Sequence, residues 1–160
     1  MRATRGRIFS YEPEPSNFRL LDENVRGNGL ERVRCFPMAV AGKAGERTME
    51  RSVNPKTTGG GSLFGGGGEP FAVRCADLPG IIRDHALERI DFLKLDCEGA
   101  EWEILESLPD DHLRRIRQIA MEIHNPPEDP IAFRRLRENG FVELPHPKRN
   151  YRAFHRPKAD

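Results

Sequence analysis

Short apolar runs alternate with segments of helical spacing along most of this chain. The first run, 7–11, is rich in aromatic residues and is closed by Pro13, and prolines do not continue a central strand ladder. This pattern predicts a strand that ends at Glu12. A second apolar run predicts another strand over 33–40.

The segment between these two strands has the spacing of a helix. Phe18, Leu21 and Val25 stand at i, i+3 and i+7, so they share one helical face. We expect Ser16 to cap the amino terminus of this helix, because a serine hydroxyl accepts a hydrogen bond from the first turn. Gly27 is suited to end it.

The apolar signal fades between residues 42 and 70. Seven of the ten residues in 59–68 are glycines, and a regular structure there is costly in backbone entropy. We therefore predict a long, mobile, glycine-rich loop over about 42–70. After it, 71–75 predicts a short strand, and Asp77 predicts the start of a helix.

The second half of the chain repeats the alternation. The run 90–95 is mostly apolar and predicts a strand, and 99–108 then changes to helical spacing. Another strand is predicted over 117–123, followed by a helix from Pro130 to about Gly140. Each strand is thus followed by a helix.

Strands that alternate with helices are typical of an α/β fold with a mainly parallel sheet. The closing runs 141–144 and 151–155 predict an antiparallel C-terminal strand pair. In such sheets ligands bind outside the carboxyl ends of the strands. Polar side chains at or just past predicted strand ends are therefore candidates for a site: Glu12, Asp96, Glu98, Glu122 and His124.

Composition narrows the class of protein. The 160 residues are enough for one core, so we expect a single domain over 1–160. Twenty-six basic against 25 acidic residues give a net charge of +1, which argues against a nucleic-acid or anionic membrane partner.

No run approaches the ~20 apolar residues of a membrane span, and no signal-peptide pattern is present, so a cytoplasmic location is expected. Three widely spaced cysteines favour buried thiols over disulfides or zinc ligands.

The acidic residues around Cys97 allow several interpretations. Asp96, Glu98 and Glu101 stand at a predicted helix start, where the helix dipole alone favours negative charge. Clustered carboxylates in a crevice also suit proton transfer or a bound cation. Glu122 and His124 alternate along a strand and share one face, so His124 is a candidate general base. Metal-assisted hydrolysis by Asp96, Glu98, Glu122 and His124 is a further alternative.

Several of these segments resemble FkbM-type methyltransferases. The most specific is Asp91-Phe92-Leu93-Lys94-Leu95-Asp96-Cys97-Glu98-Gly99-Ala100-Glu101. Weaker similarities are Tyr11-Glu12-Pro13, Asn17-Phe18, Asn24-Val25, Gly60-Gly61-Ser62-Leu63, Glu122-x-His124 and Asn139-Gly140-Phe141. The resemblance covers about residues 8–155. It implies a Rossmann-like class I methyltransferase sheet and S-adenosylmethionine as the cofactor.

The resemblance also implies residue roles. Glu12 would bind the ribose hydroxyls of S-adenosylmethionine, Ala39 and Val40 would contact adenine, and Asp96 would lie near the cofactor. Glu98, Glu122 and His124 would face the methyl acceptor, which we expect to be a sugar or another hydroxylated small molecule. From the residues alone, Ala39 and Val40 are better explained as core.

One departure from the family pattern is expected to matter. Such domains begin with a strand and a glycine-rich turn that holds the methionine end of the cofactor, and no such motif precedes Arg7. The sequence therefore suggests either an N-terminally truncated domain or one that another chain completes. A non-catalytic remnant or partner subunit is the alternative to a methyltransferase. An exposed sheet edge would favour a homo-oligomer or a partner chain that covers it.

Overall fold

The structure is a computed structural model, and it describes residues 6–53, 61–65, 67–127 and 130–157. Its elements in chain order are β1 Ile8–Tyr11, α1 Pro15–Gly27, β2 Val33–Phe36, β3 Ala39–Ala41, β4 Gly45–Ser52, β5 Gly67–Asp77, α2 Leu78–Asp84, β6 Leu93–Leu95, α3 Glu101–Ser107, α4 Asp110–Leu113, β7 Gln118–Glu122, α5 Ile131–Glu138, β8 Val142–Leu144 and β9 Tyr151–His155.

The strands form three separate hydrogen-bonded sheets within the described residues. Their orders are β1-β2, β3-β5-β4 and β6-β7-β9-β8. The α/β class and the antiparallel pairing of β8 with β9 are confirmed. The prediction of one mainly parallel sheet is not, because β4 and β9 also pair antiparallel with their neighbours β5 and β7.

The first strand, helix and strand form a parallel β1-α1-β2 unit that packs loosely. Glu14, and not the predicted Ser16, caps α1, because its carboxylate accepts hydrogen bonds from the Ser16 and Asn17 backbone N–H groups at 2.7 and 2.8 Å. None of the side chains of α1 is buried. Between residues 6 and 38 only Glu14 is buried. The unit therefore contributes little to the core.

The strand predicted over 33–40 is two strands in two sheets. β2 pairs with β1, whereas β3 pairs with β5. Pro37 lies between them, and it has no backbone N–H with which to continue a ladder. The chain changes sheets at this proline.

The prediction of a loop over 42–70 is wrong for much of that range, because β4 and β5 form an antiparallel hairpin there. Met49, Val73 and Cys75 on these strands are buried together, which stabilises the hairpin. A side chain added at Gly68 would place its Cβ 2.5 Å from the Arg51 carbonyl oxygen, so this glycine permits close strand approach. Residues 54–60 and 66 lie outside the described part of the chain.

The strand predicted over 90–95 is shorter and lies at a sheet edge, not at the centre. β6 covers three residues and is hydrogen-bonded to β7 alone among the described strands, and an isolated bridge joins Ile90 to Ile116. Phe92 remains 44% exposed. β1 belongs to the separate two-stranded sheet.

The main core lies between the β6-β7-β9-β8 sheet and its helices. Fully buried members include Ile104, Leu108, Ile119 and Phe154, which come from α3, the turn after it, β7 and β9. This packing fixes the turn between β6 and α3 against the end of β7.

Within the described residues, none of the helices has the length and apolar character that crossing a membrane requires.

Candidate active site

Two parallel strands bring the central motif and the His124 segment to one edge. β6 and β7 run side by side with Leu95 opposite Met121, so their carboxyl ends meet. Asp96 and Glu98 follow β6, and His124 follows β7. One ligand atom from each of these three side chains lies within 4.8 Å of the others. Three of the five side chains predicted at strand ends therefore lie together.

Glu101 contacts both of the segments that meet at this edge. Its side chain is fully buried in the first turn of α3. One carboxylate oxygen accepts the Cys97 backbone N–H at 2.6 Å, and the other accepts the Gly99 N–H at 3.0 Å. The first oxygen also lies 3.0 Å from Nδ1 of His124. Glu101 thus connects the turn after β6 to the segment after β7.

Two carboxylates flank the imidazole of His124, and a third contact holds its backbone. Its Nδ1 contacts the Glu101 carboxylate, and its Nε2 lies 3.5 Å from Oε2 of Glu98. The indole N–H of Trp102 donates to the backbone carbonyl of His124 at 2.8 Å. With Nδ1 donating to a carboxylate, the lone pair of the neutral ring is on Nε2, which faces Glu98.

The turn that carries Glu98 has an unusual backbone. Glu98 has φ of +51° and Gly99 has φ of +110°. Left-handed φ is uncommon for a non-glycine residue and is concentrated at functional sites. Ser62 stabilises the turn, because its hydroxyl donates a hydrogen bond to the Glu98 carbonyl at 2.7 Å. The Gly-Ser-Leu segment therefore contacts the central motif directly.

The pKa values of Glu98 and His124 are both raised. Burial is the largest effect on the pKa of Glu98 and raises it; the charge of His124 opposes this, and the charges of nearby carboxylates add to the increase. For His124, burial lowers the pKa, but the hydrogen bond and charge of Glu101 and the charges of Glu98 and Glu122 outweigh it, so its net pKa is raised.

Glu122 lies beside this group and has other partners. Its two oxygens accept hydrogen bonds from the Asn150 amide at 2.8 Å and the Tyr151 hydroxyl at 2.7 Å. Hydrogen bonding to Glu122 raises the pKa of Tyr151. Sequence reasoning missed Asn150 and Tyr151. The signal was the closing strand pair, because Tyr151 stands opposite Glu122 in the β7-β9 ladder.

Asp96 and Cys97 differ in their exposure and chemistry. Lys94 Nζ lies 2.6 Å from one Asp96 oxygen, and the Asp96 side chain is 39% exposed. Burial raises the pKa of Cys97 to about 12. Cys97 is therefore a protonated thiol at neutral pH and no nucleophile.

Of the residues assigned to the cofactor, Asp96 lies in this group, whereas Glu12, Ala39 and Val40 lie in other parts of the fold. Glu12 follows β1, its Oε1 accepts the Glu14 backbone N–H at 2.9 Å, and burial raises its pKa. Ala39 is buried in the small cluster with Met49, whereas Val40 packs against the main core. No described contact joins Glu12 to the Asp96, Glu98 and His124 group. The cofactor roles of these residues stay predictions.

Comparison with known families now identifies the chain's relatives. The sequence model of the methyltransferase FkbM domain matches residues 1–143. This chain belongs to the FkbM methyltransferase family. The match includes the whole turn from β6 to α3 and His124, so the group around Glu101 lies within the family domain.

Two curated proteins are similar to parts of the chain. Methyltransferase sdnD of Sordaria araneosa is 25% identical over 154 residues, covering 76% of this chain and 59% of that protein. AMB antimetabolite synthetase AmbE of Pseudomonas aeruginosa is 37% identical over 79 residues, covering 46% of this chain and 4% of that protein. The chain thus spans 59% or less of the length of these relatives. No solved structure matches it significantly.

Proposed function

We propose that this FkbM-family chain transfers a methyl group from S-adenosylmethionine to a hydroxyl oxygen of a sugar or another small molecule. The observation that carries the proposal is the arrangement of Glu101, His124 and Glu98. A buried carboxylate orients an imidazole toward a second carboxylate at the carboxyl ends of two parallel strands. Ligands of α/β proteins bind at such edges.

Methyl transfer to oxygen needs orientation and the removal of one proton. The hydroxyl oxygen forms a bond to the methyl carbon as the carbon–sulfur bond breaks, and the hydroxyl proton must leave. Nε2 of neutral His124 would accept that proton, and Glu98 at 3.5 Å would stabilise the resulting imidazolium. Holding the two reactants in line would supply most of the acceleration.

The charge of the site suits a sulfonium cofactor. S-adenosylmethionine supplies an electrophilic methyl group on a positively charged sulfur, and Asp96 and Glu98 place negative charge at the proposed acceptor edge. Glu12, partly buried after β1, is suited to accept hydrogen bonds from ribose hydroxyls. These residues fit the ribose and the sulfonium.

The methionine end of the cofactor needs further groups. The described residues include no Asp-x-Gly-x-x-Gly-type turn between a strand and a helix. We therefore propose that groups beyond them complete this part of the site, and that binding by this chain alone is weakened. The loss of several hydrogen bonds of ~1 kcal/mol each lowers affinity by orders of magnitude, because ~1.4 kcal/mol is tenfold.

Unpaired strand edges favour a second candidate function. Among the described strands, β1 bonds only to β2 and β6 only to β7. A second copy or a partner chain that supplies a strand would cover such edges. In the second candidate, this chain is a non-catalytic partner subunit that completes another methyltransferase.

Nuclear magnetic resonance separates the two candidates. We would titrate ¹⁵N-labelled protein with S-adenosylhomocysteine, the product form of the cofactor, because weak binding still shifts amide resonances. A methyltransferase should show saturable shifts around Glu12 and around Asp96 to Glu98. Glu12→Gln should remove the first group of shifts, whereas Glu23→Gln, on the exposed side of α1, should leave them unchanged.

One result would contradict the methyltransferase proposal, and a second would contradict the ribose-binding role of Glu12. The first is the absence of saturable shifts up to millimolar ligand, which would favour the non-catalytic candidate. The second is a set of shifts that Glu12→Gln leaves intact, which would move the ribose elsewhere.

A further inference from the structure

We propose that Asp96, Glu98 and His124 bind a divalent metal cation at the carboxyl ends of β6 and β7. The three side chains come from two different segments, and they combine two carboxylates with one imidazole. Oxygen and imidazole donors together suit first-row divalent ions such as Mn²⁺, Fe²⁺ and Zn²⁺. The site is thus more specific than a group of surface acids.

The distances are close to those that an ion requires. An ion with ligands at ~2.1 Å holds its ligand atoms ~3.0 to ~4.2 Å apart. Nε2 of His124 lies 3.5 Å from Oε2 of Glu98, inside this range. All three ligand atoms lie within 4.8 Å of one another, so small side-chain rotations close the set.

The surroundings of His124 supply an independent argument. A metal-binding histidine almost always donates its other ring N–H to a carboxylate, a carbonyl or water, which fixes its tautomer and orientation. Glu101 provides that carboxylate at 3.0 Å from Nδ1 and is itself fully buried. Two backbone N–H groups hold Glu101 in turn. This second layer directs the Nε2 lone pair toward Asp96 and Glu98.

The local charge also favours a cation. Asp96, Glu98, Glu101 and Glu122 lie close enough to affect one another or His124 electrostatically. The amine of Lys94 contacts one oxygen of Asp96 only, so it offsets one of four carboxylates. A divalent ion would share Asp96 with Lys94 and neutralise the rest of the cluster.

The role of the ion rests on the proposed function, although its binding does not. Three protein ligands leave coordination positions for water or for the acceptor hydroxyl. A coordinated hydroxyl loses its proton to solvent more easily, because the cation stabilises the alkoxide. With the ion bound, Nε2 of His124 would be a ligand and solvent would take the hydroxyl proton, whereas without the ion His124 would take it as proposed above.

Manganese binding tests the site without any methyl donor. Mn²⁺ is titrated into the full chain, and the free ion is measured by electron paramagnetic resonance. We expect one saturable site per chain. Glu98→Gln and His124→Gln should each weaken binding at least tenfold, whereas Glu106→Gln and His146→Gln, which change an exposed acid and an exposed histidine, should leave it unchanged.

A second measurement avoids the risk that a variant fails to fold. In the unchanged protein, substoichiometric Mn²⁺ should broaden amide resonances of residues 96–98 and 124 before all others. No stoichiometric binding up to millimolar Mn²⁺, broadening centred elsewhere, or binding unaffected in folded Glu98→Gln would overturn the proposal. Because S-adenosylhomocysteine is absent, these outcomes are independent of the test of methyl transfer.

Discussion

The fully buried carboxylate of Glu101 lies 3.0 Å from Nδ1 of His124 and joins the segments that follow two parallel strands. The same side chain accepts two backbone N–H groups of the turn that carries Glu98. Its position therefore sets both the tautomer of His124 and the shape of the turn.

Removing the charge of Glu101 should lower the pKa of His124. The hydrogen bond and charge of Glu101 raise that pKa, so Glu101→Gln should move it down toward or below its ordinary value of 6.5. A ¹H–¹³C titration of the imidazole measures this shift. Glu106→Gln on the exposed face of α3 is the matched control. A His124 pKa that stays unchanged in folded Glu101→Gln would contradict the proposed contact.

The Glu14 cap should make stability depend on acid pH. Burial acts to raise the pKa of Glu14, but hydrogen bonds from Ser16, Asn17 and Arg51 outweigh it, so the net pKa lies below its ordinary value of 4.5. The carboxylate therefore stabilises the fold above pH 4.5, and this contribution is lost as the pH falls through the lowered folded-state pKa.

Chemical denaturation of Glu14→Gln at several pH values measures this contribution. At pH 7 the substitution should reduce the free energy of unfolding by about 1 kcal/mol, as expected for loss of a helix cap. The difference from the unchanged protein should shrink below pH 4.5. A difference that is constant from pH 7 to pH 3 would show that the Glu14 charge contributes nothing.

Arg135 should stabilise the carboxyl end of α3. Its guanidinium donates to the carbonyls of Leu105, Glu106 and Leu108 at 3.1, 2.8 and 2.7 Å. Carbonyls at a helix end lack partners within the helix. Arg135→Ala should lower the free energy of unfolding by about 2 kcal/mol, since bonds to charged groups are the stronger ones. Arg134→Ala, measured by the same thermal and urea unfolding, should change it little.

The edge of β6 that no described strand covers should promote association. Phe92, next to this edge, is 44% exposed, and Ile8 in β1 is 41% exposed. If these edges bind a second copy, Phe92→Lys should shift the protein toward monomer in sedimentation velocity, because a charge there opposes strand pairing. Leu20→Lys on exposed α1 is the control. A protein that is monomeric at all concentrations before substitution would contradict self-association.

The site could be anticipated because its elements are local and their pattern is strong. The run that ends at Leu95 changes to helical spacing within a few residues, and the carboxyl ends of parallel neighbours must meet. That reasoning brings Glu98 and His124 together. It does not reveal the burial of Glu101, because a helix-start acid has the same sequence pattern whether it faces solvent or a histidine.

The β4-β5 hairpin and the Glu14 cap of α1 could not be predicted from the sequence pattern. Glycine was interpreted as a sign of a loop, whereas Gly68 permits β4 and β5 to approach closely, a tertiary effect. Ser16 has the better intrinsic preference for a helix cap, yet Glu14 is positioned to accept two N–H groups. The isolated placement of β1 depends on which strands are present around it, and no local pattern encodes that.

The most direct test of the account is the position of the cofactor's methyl group. S-adenosylmethionine labelled with ¹³C in that methyl is added to the protein, and nuclear Overhauser effects from the methyl protons are recorded. We expect effects to the imidazole protons of His124 and to the side chain of Glu98, and these effects should be lost when unlabelled S-adenosylhomocysteine is added in excess. Effects confined to other residues, such as Arg74 and His85 in the cavity between β5 and α2, would contradict this expectation.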